Sequence, residues 1–255
     1  MSTFKKIIMI LIICIFATST AGFAADKGIF KTTPKLKDGK KWRIGYYEGG
    51  EYIDYQVIFT ATIKGLMQLG WIKQTDIPPQ KGEQTEELWK WMSANLKSRY
   101  IEFVKDAHYT AKWDDKLRVK TAEKIIHRLN KKNDIDLMIA MGTWAGQDLA
   151  NDKHSTNTLA FSVSDALGAG IIKSHDDSGF DHIHARIDPY RYERQVRTFH
   201  DVVGFDKLGV AYEDTVSGRS IAALDKIEKV AKNRNFEIVR CFTKDDVPDR
   251  KIAEE

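Results

Sequence analysis

Short apolar runs alternate with three- and four-residue periodicities along almost the whole chain, and this alternation restricts the fold more than any other feature. The run "IDLMIAMG" is nearly continuous, as expected for a strand covered on both faces. "KWRIGYY", "YIEFVKDA", "TLAFSVSD", "KLGVAYED" and "FEIVRCF" are further strand candidates. From Asp54 to Gly70 the period changes, and Tyr55, Ile58, Phe59, Thr62, Leu66 and Leu69 fall on one helix face. Gly70 is a candidate C-cap. "EQTEELWKWMSANLK" looks helical, with Leu88, Trp91, Met92 and Asn95 along one side. Residues 115–132 turn Ala122, Ile125, Ile126 and Leu129 inward. A short helix is expected from about Ala145, and two longer ones over Pro189 to Val203 and Ser217 to Asn233. Strand and helix in turn argue for parallel α/β sheets.

Two blocks emerge. Residues 42–175 hold four or five strands, enough for a doubly wound sheet, with an inserted helical segment near 73–98. Residues 176–188 read as a crossover, and residues 189–255 hold two strands and two helices. Two parallel strands bury too little surface to make a stable unit. The second block is therefore expected to be an incomplete lobe at Glu255.

The N-terminus adds a compartment. Lys5 and Lys6 precede an apolar run from Ile7 to Ala17, and small residues follow at Ala21, Gly22, Ala24 and Ala25. This pattern reads as a secretory signal peptide cleaved after Ala24. Its apolar run of eleven residues is shorter than the roughly 20 that span a bilayer. Residues 25–41 are a Lys-rich leader. Loss of residues 1–24 removes two lysines and no acids, so the formal charge falls from +4 to +2 (4 − 2). Such a balance argues against a nucleic-acid surface. Cys14 leaves with the signal and Cys241 stands alone, which excludes an internal disulfide and a cysteine metal cluster in the mature chain. No second long apolar run exists, so no integral membrane segment is expected in the mature chain. No cofactor or metal motif appears, and no Walker-type phosphate loop.

In open α/β sheets, ligands sit beyond the carboxyl ends of the strands. That rule selects Tyr46, Tyr47, Glu48, Gly49 and Gly50, then Gly142, Thr143 and Trp144, then Ser164 and Asp165. In the second block it selects Tyr212, Glu213, Asp214 and Ser217. Thr143 has two readings. It is the N-cap of the helix that follows, or its hydroxyl and the first-turn N–H groups face a carboxylate or phosphate. "GTWAG" is not a nucleophile elbow, because Trp144 stands where a hydrolase needs Ser. Tyr46, Tyr47, Tyr52, Tyr55 and Trp144 can stack on a flat ligand or serve as core, with Tyr55 on the buried helix face. "SHDDSGFDHIH" brings His175, Asp176, Asp181, His182 and His184 together, donors that suit a divalent metal, but at no known spacing. It reads as a solvated loop. An exported enzyme using this cluster is the one catalytic alternative.

The order "IDLMIAMGTWAGQDLA", "LAFSVSDALGAGIIKS", "FDKLGVAYED" resembles the ABC-transporter substrate-binding proteins that include tryptophan- and tyrosine-binding members. The resemblance covers about 42–242, excluding the stretch near 73–98. It implies two doubly wound parallel-sheet lobes hinged around a cleft, as in type I periplasmic binding proteins. It implies a periplasmic receptor that captures a small carboxylate-bearing, amino-acid-like ligand, aromatic side chains included, and passes it to an ABC permease of the inner membrane. The carboxylate would meet Thr143 and the N–H groups of Trp144 and Ala145. Ser164 and Asp165 would line the first wall, and Tyr212 and Ser217 the second. Tyr46, Tyr47 and Glu48 would cover the far side. The alternative is a ligand-binding sensor domain feeding a membrane signalling protein. The chain departs from the family pattern at Ala166, where Pro is usual, and at "DDSGFDHIHARID", which replaces the usual hinge turn.

Overall fold

The computed structural model of the protein describes residues 32–243. The expected signal peptide, the first residues of the expected leader and the C-terminal residues 244–255 lie outside the described residues. Strands β1 (Trp42–Glu48), β2 (Ile101–Thr110), β3 (Leu137–Met141), β4 (Asn157–Phe161) and β5 (Ile183–Ala185) form one parallel sheet in the order β2-β1-β3-β4-β5. The fifth strand lies inside the polar stretch expected to be a loop. Ile183 and Ala185 point into the protein and His184 points out, an alternation too short to register among so many polar neighbours.

Helices α1 (Ile53–Gln68) and α2 (Glu86–Asn95) cover one face of this sheet, and α3 (Asp115–Lys131) and α4 (Gly142–Leu149) the other. In α1 the buried stripe is Tyr55, Phe59, Ile63 and Met67, one residue per turn. Gly70 follows the helix in a left-handed conformation and donates its N–H to the carbonyl of Met67 at 3.0 Å. In α3 the Asp114 carboxylate caps the Leu117 N–H at 2.7 Å. The buried positions of α3 include Ile125 and Leu129, two of the four expected. In α2 the buried side chains are Leu88, Trp89 and Met92, whereas Trp91 is only partly covered. The inserted segment is therefore part of the main core. Its Trp89 donates Nε1–H to the carbonyl of Val104 at 3.1 Å. At the opposite end of the strands, Arg43 Nε (2.8 Å) and Lys37 Nζ (2.6 Å) bind the buried Asp136 carboxylate and tie the start of β3 to β1.

Strands β1 and β2 are in register from Trp42↔Ile101 to Ile44↔Phe103, and again from Tyr46↔His108. Between these points β2 advances five residues and β1 only two, so β2 bulges outward. The bulge carries His108 round to stand beside Tyr46, with ring centroids 5.0 Å apart.

The second lobe contains α5 (Arg191–Val203), β6 (Lys207–Tyr212), α6 (Val216–Ile221), α7 (Leu224–Arg234) and β7 (Glu237–Phe242). Strands β6 and β7 pair in parallel. Their shared face, with Leu208, Val210, Tyr212 and Ile238, packs on Val196 of α5 and on Leu224 and Ile227 of α7. The other face, with Gly209, Ala211, Val239 and Cys241, is exposed. The helix expected over Ser217 to Asn233 is two helices, because Ala223 adopts a left-handed φ of 52°. The break lets Ser220 face the first lobe while Leu224 and Ile227 turn onto β6. No helix among the described residues is long and apolar enough to cross a membrane.

Candidate functional site

Strand β2 lies on one side of β1 and β3 on the other, so the chain leaves β1 and β3 in opposite directions. In such a sheet this switch point, between the carboxyl ends of the two strands, is the usual place of a ligand crevice. Its lips are Glu48, Gly49 and Gly50 after β1, and Gly142, Thr143 and Trp144 after β3.

Helix α4 begins at Gly142, three residues earlier than expected, and the residue in the N-cap position is Met141, which makes no side-chain cap. Thr143 therefore sits in the first helical turn, and the N-cap reading of this residue is corrected. The residue as a whole is 4% exposed, and its hydroxyl, which makes no hydrogen bond among the described residues, is not sealed from solvent. The first-turn N–H groups beside it have no intrahelical acceptor. Gly142 has φ +88°, and a Cβ there would collide with the Tyr55 hydroxyl. Only glycine suits this position.

Beside Thr143, the half-buried indole of Trp144 meets Trp113 edge-on at 5.4 Å. The Arg118 guanidinium lies 4.7 Å above the Trp144 ring. Arg118 is held by Asp148, which also accepts the Tyr47 hydroxyl at 2.7 Å. Ala145 is fully buried under this group. Tyr46 and Tyr47 were expected to flank a ligand. Both have 0% exposure, because successive residues of a strand covered on both faces enter opposite cores. Tyr46 stacks between Phe59 (4.8 Å) and His108 (5.0 Å). Neither ring offers a face to the crevice in this conformation.

Glu48 is buried too, at 1% exposure. One carboxylate oxygen accepts both the Tyr46 hydroxyl (2.8 Å) and the Thr85 hydroxyl (2.7 Å). Burial pushes this carboxyl up to about 7, against the opposing pull of the two hydroxyl donors. Thr85 also lies 2.8 Å from His108 Nε2. The Thr85 proton goes to Glu48, so His108 donates through Nε2–H to Thr85. Burial lowers His108 to about 4 and keeps it neutral. Thr85 and His108 were not legible in the sequence, since they come from α2's start and from the β2 bulge.

The two groups set opposite pH trends. A raised Glu48 favours the neutral form, so its contribution to stability is greatest below its ordinary value of 4.5 and is lost as pH rises to about 7. A lowered His108 contributes above its ordinary 6.5 and is lost as pH falls towards 4. Glu48→Gln keeps an acceptor for both hydroxyls and removes the first trend. It is expected to stabilise the fold at pH 8 by about 3 kcal/mol, since each tenfold change in proton affinity on folding is worth about 1.4 kcal/mol, and by almost nothing at pH 4.5. Denaturant titrations at both values test this. Equal effects at the two values would mean that the fold does not shift the Glu48 carboxyl from its ordinary range.

The far wall joins the two lobes. Ser217 donates to Gln147 Oε1 at 2.8 Å, and Arg118 donates to the same oxygen at 3.1 Å. The buried hydroxyl of Ser220 donates to the carbonyl of Asp165 at 2.8 Å, and Lys226 lies 3.3 Å from its carboxylate. Asp165 also accepts the Gly168 N–H at 3.1 Å. Ser217 and Asp165, expected at the ligand, are thus occupied by contacts between lobes, while Ser164 is half-buried beside them. Tyr212 packs into the second lobe's core, 5.5 Å from Phe242, and its buried hydroxyl has no partner among the described residues. Gln147, Arg118, Ser220 and Lys226 were missed in the sequence, where they look like ordinary polar helix positions. Of the polar stretch, His182 packs on His154 at 4.8 Å and its Nε2 lies 3.1 Å from the carbonyl of Asn151. Among the described residues, no group of three or more His, Cys, Asp or Glu side chains could hold a metal ion.

No family model and no curated protein sequence matches the chain. Solved structures do. A conserved domain protein from Vibrio cholerae superposes with a TM-score of 0.56 at 14% identity, over 80% of this chain and 58% of that one. The ABC domain from Streptococcus pneumonia, in complex with L-Trp, gives 0.55 at 14% identity over 78% and 56%. A leucine-binding protein from Thermotoga maritima gives 0.53 at 12% identity over 82% and 51%. The fold is that of type I periplasmic binding proteins. The chain spans less than three fifths of the length of these three structures.

Proposed function

We propose that a chain with this fold is an exported solute receptor of an ABC-type importer, a binder and not an enzyme. It captures a small carboxylate-bearing, amino-acid-like ligand between lobes 42–175 and 189–255, which hinge at 176–188. The observation that carries the reading is the Thr143 hydroxyl, free of any hydrogen bond among the described residues and not sealed from solvent, in the first turn of a helix at the β1/β3 switch point. Such a position combines a hydroxyl donor, orphan N–H groups and the positive end of a helix. The ligand carboxylate sits on Thr143 and the N–H groups of Trp144 and Ala145, with Trp144 beside its side chain. Ser164 and Ser217 approach from the two walls, Ser217 by releasing Gln147. Glu48, Tyr46, Tyr47, Asp165 and Tyr212 hold these elements in place around the ligand.

The neighbours' own ligands support the class, since one structure holds L-Trp and another is named for leucine. The basic and apolar N-terminus supports export to the periplasm, where an inner-membrane ABC permease would receive the ligand. Mass spectrometry of small molecules released from the purified protein identifies the ligand directly. Thr143→Val keeps the shape and removes the hydroxyl. A hydrogen bond to a charged group contributes about 1.5–3 kcal/mol, so affinity is expected to fall roughly 10- to 150-fold. Melting temperature should hardly move, because no hydrogen bond within the protein is lost. A variant that melts earlier yet binds as tightly would sink the reading.

A further inference from the structure

The hydrophobic clusters of the described residues stop at the boundary between the lobes. Those of the first lobe run no further than Ile187, and those of the second begin at Val196. No shared apolar core therefore fixes one lobe against the other, and the contacts that cross the boundary are polar. Polar groups exchange protein partners for water at little net cost, so such a seam can part without unfolding either lobe.

Two residues of the first lobe carry the seam. Asp165, after β4, accepts the Ser220 hydroxyl on its carbonyl at 2.8 Å, and its carboxylate lies 3.3 Å from Lys226 Nζ. Ser220 is buried, and the Asp165 and Lys226 side chains are only 9% and 19% exposed. Gln147, in α4, donates through Nε2 to the carbonyl of Ala169 at 3.0 Å and accepts the Ser217 hydroxyl on Oε1. The second lobe presents its two serines on a fixed turn. The Thr215 hydroxyl accepts the Gly218 N–H at 3.0 Å, and a Cβ at Gly218 would strike the carbonyl of Glu213. A cavity of about 30 Å³ remains in the seam, lined by Ser164, Asp165, Tyr192 and Lys226 among others, too small for an amino acid.

Every one of these contacts joins two groups of the chain itself, so the closed arrangement needs no ligand to bridge it. The charge pair also makes it reversible. Two charges withdrawn from water gain from each other about what they lose in hydration, so a largely buried pair is nearly neutral in free energy while both partners are present. With one partner missing, the other is left buried alone, and opening the seam rehydrates it. We propose that Lys226 and Asp165, with Ser220 and Ser217 beside them, form a latch that closes the lobes without a ligand, and that Lys226 sets the balance between closed and open forms. The crevice then admits its ligand only while the latch is open. Lys226 acts through Asp165 and is a positioning residue. The inference rests on the hinge proposed above and not on the carboxylate reading of Thr143.

Small-angle X-ray scattering of the purified protein, with no ligand added, tests the latch. The unaltered protein is expected to scatter as the closed form. Lys226→Met should raise the open fraction at least about tenfold, read as a larger radius of gyration. Lys226→Arg, which keeps charge and reach, should restore the closed profile. Lys229→Met removes the same charge from a pair inside the second lobe, Lys229 Nζ to Glu193 at 2.8 Å, and should leave the profile unchanged. Three results would overturn the latch and leave the hinge standing: an unaltered protein that scatters as open, equal opening by Lys229→Met, or a Lys226→Met protein that stays closed at an unchanged melting temperature. A Lys226→Met protein that melts earlier yet stays closed would overturn both, since the lobes would then form one rigid body. None of these results touches Thr143, whose reading has its own experiment.

Discussion

Trp89→Ala is expected to destabilise the protein by about 3–5 kcal/mol, the usual cost of deleting a buried aromatic side chain. Trp89 has no solvent exposure and contacts Tyr46, Phe59, Phe103 and His108 at ring distances of 5.5–6.0 Å. Loss of its indole N–H would also leave the Val104 carbonyl unpaired. The loss reaches the crevice, because Thr85, which binds Glu48, accepts the Trp89 backbone N–H at 2.9 Å. Urea denaturation should show a lower midpoint at an unchanged slope. Trp91→Ala, on the partly covered side of the same helix, should cost much less. If the two variants lose equal stability, α2 is a surface appendage and not part of the core.

Gly142→Ala is expected to cost about 2–5 kcal/mol. The backbone at φ +88° contributes roughly 1–2 kcal/mol of left-handed strain for a residue with a Cβ. The collision with the Tyr55 hydroxyl contributes roughly 1–3 kcal/mol more, as for other overpacked sites. A double variant tests the steric part. Tyr55→Phe removes the hydroxyl but keeps the ring carbon that would stand 2.5 Å from the new Cβ, so in the Gly142→Ala background it should relieve only a fraction of the steric part and leave the backbone part. Strict additivity of the two substitutions would show that the hydroxyl is not what excludes a side chain there. The same substitution displaces the first turn of α4, so the binding proposed for Thr143 should weaken with it.

Element types were legible in the sequence where periodicity is a local property. The run "IDLMIAMG" became β3 because both of its neighbours in the sheet and both helical layers cover it. The stripe of α1 and the capped start of α3 follow from spacing and from Asp114 alone. The parallel α/β class followed from the alternation, and the Gly142 turn from its place between an apolar run and a helix. The lips of the crevice were legible for the same reason, since a strand's carboxyl end can be read along the chain.

Only the tertiary structure decided what stands across from what. Tyr46 and Tyr47 are adjacent in sequence, yet one faces α1 and α2 and the other faces α3 and α4. Thr85 lies 37 residues from Glu48 in the chain and 2.7 Å from it in space. His108 reaches Tyr46 only because β2 bulges, and Trp113 reaches Gly49 only because the loop after β2 turns left-handed. Lys226 and Ser220 meet Asp165 because a helix breaks at Ala223. Side-chain period records which way a residue faces within its own element. It does not record which strand lies alongside, at what register, or where a packed chain tolerates a local irregularity. Those depend on the free energy of the whole packed core, and in this protein they set which crevice side chains are buried and which stay open.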